Sequence, residues 1–451
     1  MIAFLVLGKR TRSMAATLDA QTFPELLGKR FKSKLVQRLG GFVIFLSMPL
    51  YAAVVLIGIA RFIETTLGID YRMALLGVTM IVAAYVVAGG LKGVMYTDAL
   101  QGGVMFVSML VLLVGTYLNL GGPMAAHDSL TAISHLAPDA LREQGHQGWT
   151  VMPTLGSPWW WTLMSTLVLG VGIGVLAQPQ LVVRFMTIKS ERALNRGIGI
   201  GSLFILVVVG GAFLVGTLSN VYFHQTQGQI AIAAANGNPD LIMPRYITAA
   251  MPTWFSYLFV ITLLSAAMST LSSQFHTMGS ALSYDCLGKI SQSGRSTLGL
   301  TQLGVGLSIL VSLALGYGLP TGIIARGTAI FFGICAAAFL PAYIAALFWK
   351  GATRSGVLCS MVIGLMSSLF CLVFLHQKEA AALGISQFLF GKAYLIETHP
   401  WPFVDPILLA LPASTITLVV VSQITPKLSK AHIRGCFGRL SPDLLHRGEV
   451  K

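Results

Sequence analysis

Apolar runs long enough to cross a bilayer recur along this whole chain, and they leave room for little else. Ten can be read, centred near Leu50, Val82, Leu110, Leu167, Val209, Ser269, Ile309, Ala337, Leu365 and Leu411. A hydrocarbon core of about 30 Å takes about 20 apolar residues at about 1.5 Å each. Only 10% of the 451 residues are charged, against about 25% in a soluble domain. In lipid the backbone must satisfy its own polar groups, and consecutive apolar runs do so as helices. The expected fold is an all-α polytopic membrane protein of about ten full transmembrane helices. One membrane domain covers 1–424, and a basic tail covers 425–451.

The formal net charge of +14 could suggest a nucleic-acid partner, but its distribution follows topology. With alternate loops assigned to two sides, one side takes Lys9 to Arg38, Lys92, Arg184 to Arg196, Lys289, Arg295, Lys350, Arg354 and the tail. That is 23 of the 30 Lys and Arg. The positive-inside rule makes this the cytoplasmic side, with both termini there. The expected location is the cytoplasmic membrane. The partners are the lipid bilayer and no nucleic acid, with the tail able to touch anionic lipid.

The five cysteines lie in spans or on the basic side, without metal-ligand spacing or a plausible pair. His276, within a span, reads as a hydrogen-bonded structural residue. The opening MIAFLVL is too short to span and precedes its basic residues, unlike a signal peptide. It reads as the end of a helix whose beginning is absent. The outer loops are mostly short. Pro158-Trp159-Trp160-Trp161 reads as an interfacial aromatic anchor.

Three irregular stretches carry the functional signal. From Trp254 to Ser283, Ser265, Ser269, Ser272, His276, Ser280 and Ser283 recur at helical spacing on one face. Such hydroxyls either join helices or line a path for a solute or a hard cation that prefers oxygen ligands. The second stretch carries Gly170, Gly172 and Gly174 before Gln178-Pro179-Gln180. Glycine weakens a helix and proline removes a donor. Their presence means close packing, or a broken helix of the kind that places half-helix ends at a transporter's midplane site. The third is the inner link Gly89 to Gln101, with Asp98 in the first turn of the following helix. There it either caps the helix or assists cation release at the inner mouth.

Together these stretches resemble the sodium:solute symporter family, which includes proline, pantothenate, acetate and sodium–glucose carriers. GGLKGVMYTDALQ is similar to its inner-loop signature. AQPQLVVRFMTIKSERALNRG matches its Gln-Pro motif, and SAAMSTLSSQF its sodium-site helix. TFPELLGKRF matches a short inner segment. The resemblance covers nearly the whole chain. It implies a leucine-transporter-type fold of two inverted five-helix repeats with flanking helices, incomplete at the N-terminus. In the family, an earlier broken helix completes the sodium and substrate sites. The resemblance assigns sodium to Ser269 and Thr270 and to the Ala266 carbonyl, and makes Asp98 an ion-path residue. Gln178, Pro179 and Gln180 fall in the substrate-binding or gating break. Proline carriers place aromatic residues one and two turns before Gln-Pro. Here those positions are Val175 and Val171, so no proline-specific pocket is implied.

The expected function is secondary active transport, the Na⁺-coupled symport of a small organic solute, carboxylate or amino-acid-like. The protein is not an enzyme and uses no cofactor beyond Na⁺ as coupling ion. The alternative is a truncated, non-transporting remnant or a membrane sensor on the same scaffold.

Overall fold

The computed structural model describes residues 3–288 and 294–438, with the side chains of 3–4, 88–96 and 294–298 excepted. The basic residues Lys92, Lys289, Arg295, Arg439, Arg447 and Lys451 lie outside the described side chains, as does most of the Gly89–Gln101 link. The main helices are α1 (Lys9–Leu18), α2 (Phe23–Arg30), α3 (Lys34–Leu67), α4 (Tyr71–Asn119), α5 (Pro158–Ala177), α6 (Pro179–Thr187) and α7 (Glu191–Gln227). Then come α8 (Thr253–Cys286), α9 (Gly294–Gly318), α10 (Ile323–Phe348), α11 (Arg354–Leu375), α12 (Ile407–Ile424) and α13 (Lys430–Phe437). Shorter helices fold the two long loops after α4 and α7.

Among the described residues nine helices are long and apolar enough to span a membrane, and Tyr71–Val87 is a shorter apolar tenth. Each of the ten centres read from the sequence falls in one of them. Local chemistry sets their limits. Ser33 caps α3 by accepting from the Val36 N–H, and Thr353 caps α11 by accepting from Gly356. Gly68 and Gly228 end α3 and α7 at positive φ, a conformation glycine adopts without a Cβ penalty.

One boundary differs from the sequence reading. Asp98 does not begin a helix; the backbone stays helical from Tyr71 to Asn119. No proline or capping residue interrupts the stretch before it, so the hydrogen-bond ladder runs through. The axis nonetheless bends, because the Tyr85 and Thr97 hydroxyls are hydrogen-bonded. Twelve residues of straight helix would hold them about 18 Å apart.

The core is centred on α10, of whose apolar window 89% is buried. Small residues allow close helix approach where lipid supplies no hydrophobic drive. A Cβ at Gly364 of α11 would stand 2.0 Å from the Ala337 carbonyl oxygen of α10. The C-terminal end of α10 is bound by two arginines. Arg10 donates to the Leu347 carbonyl, and the fully buried Arg30 donates to those of Ala346 and Trp349. These contacts place cations at the negative end of the helix dipole.

The basic segments gather at that end. Arg12 donates to the Ile188 and Lys189 carbonyls, His432 bonds the Arg30 carbonyl, and Thr353 pairs with Thr425. The opposite end carries other ties. Asn119 donates to Ala250, Gly322 to Asp240, and His399 to Gly156.

Candidate functional site

The chain between α5 and α6 is broken. The helix tightens over Val175–Ala177, Gln178 turns extended at φ −63° and ψ 123°, and Pro179 restarts it as the first residue of α6. Proline offers no N–H. The Val175 carbonyl, which would have received it, instead takes a long 3.5 Å bond from the Gln178 N–H. The three glycines before the break differ in role. A Cβ at Gly174 would lie 2.5 Å from Phe332 of α10, whereas one at Gly172 would meet nothing within 4 Å. Gly174 is therefore a packing glycine.

Gln178 and Gln180 stand at the break. Gln180 Nε2 donates to Gln178 Oε1 at 3.3 Å. Gln178 Nε2 and Gln180 Oε1 are buried without partners among the described residues. Exchanging both amide assignments leaves the same inventory, one donor group and one acceptor unpaired. Each such atom costs about 1–3 kcal/mol unless something fills it. Pro179 is buried beside them. Phe332 bridges this region to α3, since Tyr51 stacks on Phe331 at 5.1 Å and meets Phe332 edge-on at 5.2 Å. This aromatic wall was missed by sequence reasoning. Its only signal was a tyrosine in the middle of an apolar span.

Along α8 the hydroxyls divide. Thr262 donates to Ser108 of α4 at 2.7 Å, and Ser283 pairs with Thr301 of α9 at 2.8 Å. From Ser272 toward the C-terminal end of α8, Ser272, Ser273, Thr277, Ser280 and Ser283 each donate to a carbonyl three or four residues back. Between these groups the hydroxyls of Ser265, Ser269 and Thr270 make no hydrogen bond among the described residues. The Ala266 carbonyl lies one turn before Thr270 on the same helix, where a helical carbonyl keeps a second lone pair.

Asp98 accepts from Arg184 of α6 at 3.0 Å through one oxygen, and its other oxygen is buried without a partner among the described residues. The Thr262–Ser108 bond fixes the relative depth of α4 and α8. Eight residues further along α8, and eight back along the antiparallel α4, come Thr270 and Leu100. Equal rise puts them at one level, within a turn of Asp98. Nearby in sequence are further buried atoms without a partner among the described residues: both amide atoms of the fully buried Gln274, Oε1 of Gln101 and Nε2 of His276. His276 is thus not the hydrogen-bonded residue the sequence suggested. Gln274 and Gln101 were not singled out at all; each sits inside a quoted motif as one amide among hydroxyls.

A bundle of membrane-crossing helices, interrupted by a polar break and carrying unengaged hydroxyls on another helix, has the architecture of a secondary transporter. The family model of the sodium:solute symporter family matches residues 1–364, and the chain belongs to that family. It is similar to the sodium/pantothenate symporter of Haemophilus influenzae, 28% identical over 81% of this chain and 72% of that one. It is also similar to the osmoregulated proline transporter OpuE of Bacillus subtilis, 25% identical over 96% and 80%. A Na⁺-coupled sialic acid symporter solved substrate-bound and outward-open superposes with a TM-score of 0.63 at 16% identity. The match covers 95% of this chain and 84% of that one. The fold is accordingly of the leucine-transporter, inverted-repeat type.

Proposed function

We propose that the protein couples the inward movement of Na⁺ to uptake of a small organic carboxylate or amino-acid-like solute across the cytoplasmic membrane. The observation that carries this reading is the unengaged hydroxyl pair of Ser269 and Thr270. These are the positions the family resemblance assigns to sodium. Both offer neutral hard oxygens, and the Ala266 carbonyl adds a third. Neutral ligands suit an ion that must leave on every cycle. Asp98, one turn away in depth, with one free carboxylate oxygen, is the residue through which the ion leaves, and the Gln101 and Gln274 amides serve the same path. Gln178 and Gln180 present one donor and one acceptor to the solute at the Pro179 break. Pantothenate, proline and sialic acid, for which relatives are named, all carry a carboxylate. That shared group supports the solute class.

Ion binding would favour one arrangement of the helices, and solute binding at the break would follow. Rocking of the bundle would then expose both to the other side. The basic segments gathered at the α10 C-terminal end support that end, and both termini, facing the cytoplasm. Purified protein in liposomes should take up a labelled carboxylate solute when an inward Na⁺ gradient is imposed. Potassium or choline should not replace Na⁺. Solute entry indifferent to the cation would overturn the coupling. Cysteines introduced after Pro123 and after Lys378 should react with impermeant reagents from outside only.

A further inference from the structure

A cavity lies at the opposite end of the molecule from the basic segments, and neither Ser269 nor Gln178 lines it. Its volume is about 180 Å³. Trp159 and Thr166 of α5, Ala329 of α10, Leu372 of α11, and Phe403 and Asp405 before α12 form its walls. Most of the lining area is apolar, and Asp405 is one of two carboxyls in the wall, with Glu379, Arg326, His376 and Lys378 lining it as well. Asp405 is 5% exposed. One of its oxygens accepts the Ile407 N–H at 3.0 Å, and its own N–H is held by Ser165 at 2.9 Å. The Thr166 hydroxyl approaches it but completes no hydrogen bond with any described group.

The neighbouring charges are engaged with one another. Arg326 lies 3.5 Å from Glu379, and His376 bonds the other Glu379 oxygen. Burial alone would raise the Glu379 carboxyl. The His376 hydrogen bond and charge, with the Arg326 charge, outweigh it and hold Glu379 below the usual carboxylate range. Lys378 is exposed at the rim, the free Cys371 lies near, and His399 is turned to Gly156. No cation pairs with Asp405 among the described residues. Burial pushes its carboxyl up to about 6, against the Ile407 N–H and the His376 charge. At pH 8 it is ionised, and a buried carboxylate without a counter-ion is costly.

We propose that this outer cavity binds a small organic cation, an amphiphilic ammonium whose nitrogen meets Asp405 and whose apolar body fills the pocket. The Trp159 and Phe403 rings add faces that attract a cation. The size follows from volume, because a dry cavity of about 150 Å³ takes benzene. Benzylammonium is therefore the probe.

The full-length protein in detergent at pH 8, in potassium buffer, should bind benzylammonium saturably by calorimetry. Neutral benzyl alcohol and anionic benzoate should bind at least tenfold more weakly. Asp405→Asn keeps an acceptor for the Ile407 N–H and should lose tenfold or more in benzylammonium affinity. Ala329→Leu should occlude the pocket and abolish binding, while Ser269→Ala leaves it unchanged. At pH 5 a proton displaces the ammonium and binding falls. Equal affinity for benzyl alcohol and benzylammonium in the unmodified protein overturns the proposal, whether or not the variants fold. So does unaltered binding in a folded Asp405→Asn.

Discussion

The two ends of α8 and its middle use the same chemical group in opposite ways. At the ends the hydroxyls of Thr262 and Ser283 join α8 to α4 and α9. In the middle Ser269 and Thr270 bond to nothing described. A serine in a helix ordinarily donates to its own carbonyl three or four residues back, as five neighbours here do. A hydroxyl that declines this local partner in an apolar setting leaves a polar oxygen open to a ligand. On the proposed assignment of sodium to Ser269 and Thr270, unmet bonding capacity marks the membrane site better than polarity of sequence does.

The sharpest way to break the comparison is to remove the free hydroxyls. Ser269→Ala and Thr270→Ala should each raise the Na⁺ concentration for half-maximal uptake roughly 10- to 100-fold. That range is one charge-assisted contact of about 1.5–3 kcal/mol. Thr270→Ser retains the oxygen and should stay near wild type. Unchanged sodium dependence in both alanine variants would return the whole stripe to a packing role. A smaller effect is expected at the break. Gln178→Ala should raise the solute concentration for half-maximal uptake about five- to tenfold, equivalent to roughly 1–1.4 kcal/mol. Its sodium dependence should remain as it was. Smaller again, Thr262→Val should lower stability to denaturant by about 0.6–1.7 kcal/mol, the range of an interhelical bond in a membrane. Sodium affinity should not move. Ser280→Ala, whose hydroxyl serves only the Thr277 carbonyl, should change neither by more than about 0.5 kcal/mol.

The helices were largely legible because lipid allows a chain little choice. Apolar length alone located all ten spans, and Gly-rich sequence before Gln178-Pro179 located the break. The sequence could not say which glycine was structural. Only the position of Phe332 against Gly174 decides that. It misplaced Asp98 as a helix start, since glycines and a lysine read as a loop while the backbone ladder in fact continues. The distinction between Ser269 and Ser272 is equally invisible in sequence. Both are serines on one face, and only rotamer and neighbour determine whether a hydroxyl finds its own backbone. Asp405 escaped notice because one acid between Val404 and Pro406 looks like a loop residue until α5 closes over it.

The arginine ties at the C-terminal end of α10 bear on which parts can move. Arg10 and Arg30 reach from α1 and α2 to the last carbonyls of the most enclosed helix, and Thr11 bonds Tyr343 on the same helix. Any swing that parted α1 and α2 from α10 would strand a wholly enclosed guanidinium. These three helices should travel together as a fulcrum about which the other helices turn. Amide hydrogen exchange should then be slowest over Phe331–Tyr343 and nearly as slow over Phe23–Arg30, both insensitive to Na⁺. Exchange in α5 and α6, on either side of Gln178, should respond to the ion.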